Sequence, residues 1–412
     1  MTQIEELRQE AKRIFLTGVT AADPYAGVQS ALRKTPMPPV TEGGKTLVVS
    51  VGKAALRMVE AAMPFVQNPR AVLAITNYEN ATPMDGVQVF AAGHPVPDSG
   101  GARASAEVLS ALHNLGPKDQ VLALISGGGS ALLPAPIDGI SLEDKAEVNR
   151  LLLASGAPIH EMNLVRQQLS RLKGGGLSAA ADPAPVRALI LSDVIGDDLR
   201  VIASGPTVAP IGTKADACKI LETRGVWSDL PECARVHLGT LDAANAPPAA
   251  DNTLIGSNLM SVQAMKETAQ SAILINDPIE GDVSEAAQRI IDIAQEPGIY
   301  LFGGETTVQL KGDGVGGRNQ ELAMRVATLA ESCWSGNWVF LSGGTDGRDG
   351  PCDAAGGLVD AGSFDRMRAA SFDPAVMLEN NDSYHALQKS GDLLMTGATG
   401  TNVADLQVLI RC

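Results

Sequence analysis

The residue types that could do chemistry in this sequence collect beside glycines. Ser126-Gly127-Gly128-Gly129-Ser130 follows the apolar run QVLALI directly. Without Cβ atoms, several backbone N–H groups can close on an anion there; otherwise the segment is a tight turn under a helix. Gly52-Lys53 sits where KTLVVSV gives way to AALRMVEAAM. The Lys53 ammonium either points into a strand-end crevice, where it clamps a phosphate or carboxylate, or is solvated in a first helical turn. Ser170-Arg171-Leu172-Lys173-Gly174-Gly175-Gly176 joins two cations to glycines; it is either a phosphate-gripping loop or a solvated basic patch. Asp193, Asp197 and Asp198 follow the run VRALILS. A magnesium ion needs one or two carboxylates plus phosphate oxygens, and a general base needs one carboxylate near a hydroxyl. Asp193, immediately after the run, is the best placed; Asp197 and Asp198 suit helix capping or a turn.

The second half repeats the pattern with Gly303-Gly304-Glu305, with Gly312 to Gly317 before Arg318, and with Asp346, Asp349 and Asp353 in SGGTDGRDGPCDAAGG. Arg318 opens the helical pattern NQELAMRVATLA, and its rigid fork suits an oxyanion or phosphoryl group. As a mere surface residue it would be an awkward cation beside a positive helix end. Asn258 and Glu305 are further site candidates. Three formal motif matches fail. Gly44-Lys45-Thr46 ends like a Walker A loop, but Pro39 stands where its first glycine belongs and a strand follows. Gly312, Gly314 and Gly317 fit G-x-G-x-x-G, yet late in the chain and with an arginine that suits an anion loop as well. The three later aspartates do not have EF-hand spacing. The histidines at 94, 113, 160, 237 and 385 form no close cluster, and Ser130 has no sequence-visible His/Asp partners.

Parallel strands must position these residues. Apolar runs at Lys45–Gly52, Ala71–Thr76, Val87–Ala92, Gln120–Ser126 and Val186–Ser192 alternate with helical patterns at Lys53–Met63, Gly101–Leu115 and Ser141–Ser155. Strands apolar throughout and separated by helices predict a sheet covered on both faces, with ligands beyond the strands' carboxyl ends. The Ala/Pro-rich stretch Leu241–Asp251 reads as a linker. Beyond it, strands are expected at Asn252–Gly256, Ala272–Asn276, Gly298–Phe302, Thr306–Leu310, Asn337–Ser342 and Asp405–Arg411. The fold class is therefore α/β: a Rossmann-like three-layer α/β/α domain over 1–245 and a smaller mixed α/β domain over 246–412. With 32 basic and 47 acidic residues the chain carries a net charge of −15, which argues against nucleic-acid and anionic-membrane partners. The five cysteines form no Cys-x-x-Cys pair, no apolar leader opens the sequence, and no run is long enough to span a bilayer, so a reducing cytoplasm is expected.

These segments together resemble the glycerate 2-kinase family, whose C-terminal half is called the MOFRL domain. The carriers are VGKAA (51–55), GHPVPD (93–98), SGGGSALL (126–133), LSRLKGG (169–175), SDVIGD (192–197), SGPT (204–207), GGETTV (303–308), GGRNQELA (316–323), SGGTDGRDGPCDAAGG (342–357), NDSY (381–384) and TGATGTNVADLQ (396–407). The resemblance implies ATP-dependent phosphorylation of D-glycerate at its 2-hydroxyl, with an active site in a cleft between two domains. It carries the family's functional lysine and arginine onto Lys53 and Arg318. On this reading Ser126 to Ser130, Arg171, Lys173, Asn258 and Glu305 bind substrate or phosphate, Asp193 orients or deprotonates the hydroxyl, and Asp346 or Asp353 holds Mg2+. Some relatives carry the name hydroxypyruvate reductase, and an NAD(P)H-dependent reductase is the alternative; it needs an early dinucleotide fingerprint, which SVGKAA does not supply. The sequence departs from the family pattern at Gln168, Gly176, Cys352 and Ala398, where His, Arg, Thr and Pro are expected.

Overall fold

The apolar runs of the first half become strands buried on both faces. In the computed structural model, which describes residues 2–240 and 246–412, β1 (Thr46–Val51), β2 (Pro69–Asn77), β3 (Gln88–Ala92), β4 (Gln120–Ile125), β5 (Val186–Leu191) and β6 (Asp251–Gly256) form one sheet. Their order is β3-β2-β1-β4-β5-β6, and the pairings from β3 through β5 are parallel. Every residue of β1, β4 and β5 is buried, which explains why these strands show no polar alternation. The order reverses where β1 meets β4, with Val51 opposite Ile125. At such a switch point the two outgoing loops leave toward opposite faces and open a crevice beyond the strand ends. Gly52-Lys53 and Ser126–Ser130 are those two loops.

The second sheet is mixed. β7 (Ile273–Leu274), β8 (Ile279–Asp282), β9 (Gly298–Thr307), β10 (Trp338–Gly344), β11 (Gly356–Asp360), β12 (Leu393–Leu394) and β13 (Asp405–Arg411) run in the order β12-β11-β10-β13-β9-β7, with β8 also beside β9. Alternate residues serve two cores. Tyr300, Phe302, Phe340 and Leu409 pack with helices Val283–Ile293 and Arg318–Cys333 on one face. Leu301, Val339, Leu341 and Val408 pack on the other with Ile14 and Phe15 of helix Gln3–Ala21 and with Val262 and Met265 of helix Asn258–Thr268.

The expected α/β class, with a Rossmann-like first half and a mixed second one, is what the chain adopts. The details differ in three places. The compact units do not follow a single break at 245/246: one comprises Pro24–Ser192 and Asp197–Ile255, and the other takes the N-terminal residues up to Asp23, Asp193–Gly196 and Gly256–Cys412. The N-terminal helix joins the second sheet because its apolar stripe (Ala11, Ile14, Phe15, Val19) closes that sheet's open face, and β6, expected in the second domain, is the edge of the first sheet. Of the expected linker, residues 241–245 lie outside the described residues. Finally, the two strands expected around Gly303-Gly304 are one continuous strand. Those glycines are not a turn: a Cβ on Gly304 (φ +154°) would lie 2.1 Å from the carbonyl oxygen of Ile279 in β8, so it admits a neighbouring strand, and one on Gly303 would lie 2.0 Å from Asn258 Oδ1, so it admits a helix.

One glycine of the first sheet sets the site directly. Gly52 has φ +125°, and a Cβ there would stand 2.1 Å from Ser126 Oγ. Gly52→Ala must therefore strain the backbone and push the two switch-point loops apart. We expect it to cost about 2–4 kcal/mol in a denaturant titration, with Ala substituted at the exposed Gly43, which has nothing near it, costing less.

Candidate active site

In the unit built on the first sheet, hydrogen bonds tie the two switch-point loops together and anchor the first of them to the segment after β2. The Lys53 amide donates to Gly127 O (2.9 Å), the Ala54 amide to Ser126 Oγ (3.2 Å), and Asn80 Nδ2 to Lys53 O (3.1 Å). Gly128 is left-handed (φ +85°), and the place its Cβ would take lies 3.1 Å from the His94 ring and 3.5 Å from Lys53 Cγ. Burial, and then the charge of Lys53, push the His94 imidazole below its ordinary value. Among the described residues, no hydrogen bond within the protein uses the amides of Gly127 to Ser130, whereas the Ser126 amide is spent on Val51 O. Oriented glycine amides of this kind suit an anion.

Ser130 continues the site inward. Its hydroxyl lies 2.8 Å from Ser204 Oγ and accepts a hydrogen bond from Lys173 Nζ at 2.9 Å. Lys173 is buried, and burial followed by the charges of Lys145 and Arg166 drives its ammonium well below the usual lysine range. The glycines after it do different work from that expected of a phosphate loop: the Gly174 and Gly175 amides donate to Ser204 O and Gly205 O. Arg171 is directed elsewhere and pairs with Asp138 at 3.0 Å on the surface. Gly176, standing where the family pattern expects Arg, has a local reason: a Cβ would meet Arg171 O at 2.2 Å. Gln168 donates to Gly212 O at 2.8 Å. Sequence reasoning missed Lys145, whose Nζ donates to Pro134 O (2.7 Å), and Arg166, whose Nε donates to Asn149 Oδ1 (2.9 Å). The i,i+4 spacing of Lys145 and Asn149 puts those two on one face of helix Leu142–Ala154 without saying where that face points, and Arg166, on helix Ile159–Gln168, had no such signal. Asp193, half-buried just past β5, belongs to the other compact unit. Asp198 makes a turn, accepting from the Arg200 amide at 2.9 Å and pairing with that guanidinium.

In the other unit, Arg318 is not the unpaired cation that its place at a helix start suggests. Its Nε and Nη2 grip Asp405 at 2.7 and 3.0 Å, and Nη1 reaches Glu305 at 2.6 Å. These carboxylates hold the fork's plane; of its five N–H groups, three are thus taken and two can still donate to an anion. Asp405 is fully buried; burial raises it, and Arg318 pulls it back. The positive helix end is met by Asp349, which accepts from the amides of Asn319 (3.1 Å) and Gln320 (2.8 Å). Asn258 is a bracket: its Nδ2 donates to Val403 O and Asp405 O at 2.9 Å.

The glycines that mimic a dinucleotide fingerprint are used by the chain itself. Cβ atoms on Gly312, Gly314 and Gly316 would strike Asn380, Asp382 or Ser383, and one on Gly317 would lie 2.3 Å from Asp349 Cγ. As for a divalent ion, Asp346 accepts from the Arg348 amide (3.0 Å) and Asp353 from the Tyr384 hydroxyl (2.9 Å). Among the described residues no three His, Cys, Asp or Glu side chains are grouped to hold a metal. That donor set fits an ion brought in by phosphate oxygens and held by one or two carboxylates, not an all-protein cage.

Two family models match the chain: the domain of unknown function DUF4147 over residues 10–239 and the MOFRL family over 298–405. The chain is 39% identical to the D-glycerate 2-kinase of Thermotoga maritima over 98% of each sequence. It is 41% identical to a putative hydroxypyruvate reductase of Agrobacterium vitis, covering 98% of this chain and 94% of that one. The crystal structure of the Thermotoga maritima glycerate kinase superposes with a TM-score of 0.91 at 38% identity, over 99% of this chain and all of that one. A two-unit α/β phosphotransferase is the class these matches define. Within it, the chain belongs to the glycerate 2-kinase family with a MOFRL C-terminal half. No described helix is long and apolar enough to cross a membrane.

Asp349 supplies a pH test of the second unit. Burial raises its carboxyl to about 6 from an ordinary 3.8, against the two amides that pull it down. A carboxyl raised on folding contributes stability that is complete below pH ~4 and is lost as pH rises through ~6. The melting temperature of the wild type relative to Asp349→Asn should therefore fall between pH 4 and 7. A constant difference across that range would show that Asp349 titrates normally.

Proposed function

We propose that the protein transfers the terminal phosphoryl group of ATP to the 2-hydroxyl of D-glycerate, giving 2-phosphoglycerate and ADP. One observation carries the reading from the residues: in a chain of net charge −15, Lys53, Lys145, Arg166 and Lys173 gather around the glycine loop of the first sheet's switch point. The names of full-length relatives supply the acceptor.

Phosphoryl transfer asks mostly for positioning and neutralisation of charge. The glycerate 2-oxygen attacks the terminal phosphorus, the bond from that phosphorus to the bridging oxygen breaks, and ADP leaves with the electron pair. The hydroxyl proton passes to a carboxylate, and Asp193 is assigned to receive it. Lys53 neutralises the transferring group, and the amides of Gly127 to Ser130 bind one of its oxygens. Arg318, its fork fixed by Asp405 and Glu305, offers its two remaining N–H groups to the acid or the phosphoryl group. Arg171 and Lys173, read from the sequence as phosphate ligands, divide: Lys173 faces Ser130, while Arg171 lies on the surface. Mg2+ held by Asp346 or Asp353 would shield the phosphate charge. The five cysteines are free thiols, which suits a cytoplasmic enzyme. The reductase name borne by two relatives gains no support from the only glycine triad of its type in the sequence, since Asp349 and the 380–383 segment fill the space beside it.

Incubation of the purified protein with D-glycerate, ATP and Mg2+ should yield 2-phosphoglycerate, identified by phosphorus NMR. NADH oxidation with hydroxypyruvate and no phosphorylated product would reverse the reading. Lys53→Ala should lower kcat by about 100-fold or more with an unchanged melting temperature. For Arg318 the informative variant is Arg318→Lys, which keeps a cation beside buried Asp405 and loses the fork; a similar drop in kcat is expected. Arg318→Ala would strand that carboxylate, at about 3–5 kcal/mol of stability.

A further inference from the structure

Beside Ser130, within the first unit, lies a cavity of about 490 Å³. Lys145, Arg150, Arg166 and Lys173 line it together with Asn149, and no carboxylate is among its lining side chains. Arg150 is answered by Glu147 on its own helix, but the hydrogen-bond partners of the other three cations are neutral: Pro134 O, Asn149 Oδ1 and Ser130 Oγ. Three cations so grouped repel one another and have given up much of their water, an arrangement that only a multiply charged anion compensates. The rim has the opposite character. Val96 and Leu153 line the same cavity yet are 70% and 59% exposed, large apolar side chains with little of this chain covering them. Cationic depth and apolar rim in one pocket match a ligand that is itself polyanionic at one end and flat and apolar at the other.

We propose that this cavity holds the nucleoside triphosphate, with its phosphates on Lys145, Arg166 and Lys173 and its base against Val96 and Leu153. The inference rests on the kinase reading and adds where the nucleotide lies. Glycerate does not fit the description: a three-carbon monoanion needs neither three cations nor an apolar rim, and the cavity has the volume usual for far larger ligands. Burial, and behind it Arg166, bring the Lys145 ammonium to about 7, so an arriving polyphosphate draws a proton onto the site.

The test separates the two ends of the ligand. Calorimetry with a non-hydrolysable ATP analogue and with inorganic triphosphate should show both weakened about tenfold or more by Lys145→Ala. The double variant Val96→Ser/Leu153→Ser should weaken the ATP analogue several-fold and leave triphosphate unchanged. In steady-state kinetics, Lys145→Ala should raise KM for ATP and not KM for glycerate. A rise in KM for glycerate alone, or unaltered binding of the analogue by Lys145→Ala, overturns the proposal while leaving the kinase reading intact. If the wild type makes no phosphoglycerate but binds the analogue with these dependences, the acceptor is wrong and the pocket assignment stands. Removing one of three repelling cations should not lower the ligand-free melting temperature; should Lys145→Ala nevertheless fail to fold, Lys145→Met keeps the stem's packing and carries the same expectations.

Discussion

Desolvated positive charge with no carboxylate to answer it is the constraint around which the first unit is arranged. A chain with fifteen more acids than bases could readily have placed an aspartate beside Lys173 or Lys145. Instead their partners are a hydroxyl and a carbonyl. Such a grouping is unfavourable in the empty protein, and burial relieves it by pushing the Lys145 and Lys173 ammonium groups below the ordinary lysine range, beside a sheet buried throughout β1, β4 and β5. The strand order then fixes where the charge must sit, because only at the reversal between β1 and β4 do neighbouring loops part.

The second unit solves the reverse problem. There a guanidinium is surrounded by carboxylates, and its orientation, not its charge, is what the surroundings set. Asp405 and Glu305 hold the plane of Arg318, while Asp349 answers the positive end of the helix that Arg318 begins. Removing the cation would leave Asp405 buried and uncompensated, so stability and any ligand-binding role are bound together at this position. The first unit's Lys145 and Lys173 carry no such obligation, since neither is paired with a buried carboxylate.

The parallel sheet was legible because strands buried on both faces are apolar without interruption, a pattern that survives with no knowledge of the partner strands. Strand β13, Asp405–Arg411, has the bounds read from the sequence. Glycines were legible as places of close approach but not as to what approaches. Those at 127–129 leave amides unused by the chain, those at 174 and 175 spend theirs on Ser204 and Gly205, and those at 312–317 make room for Asn380, Ser383 and Asp349. The residue type is the same in each case; the neighbour that gives it meaning is tens of positions away. For the same reason Arg318 looked unpaired, since Asp405 stands 87 residues along the chain.

What this sequence determines by itself is local and periodic: which runs must be buried strands, where their carboxyl ends fall, and hence that Lys53 and Ser126 to Ser130 lie just beyond the carboxyl ends of two of them. Which cations face that edge was settled only by tertiary packing. Lys145 and Arg166 sit in helical patterns that give no cue to their direction, and Arg171, beside Lys173 in sequence but not in space, turned to the surface. The N-terminal helix likewise shows an apolar stripe without saying which sheet it covers. Periodicity reports that a face is buried; the surface that buries it comes from distant chain, and only the folded structure brings that chain near.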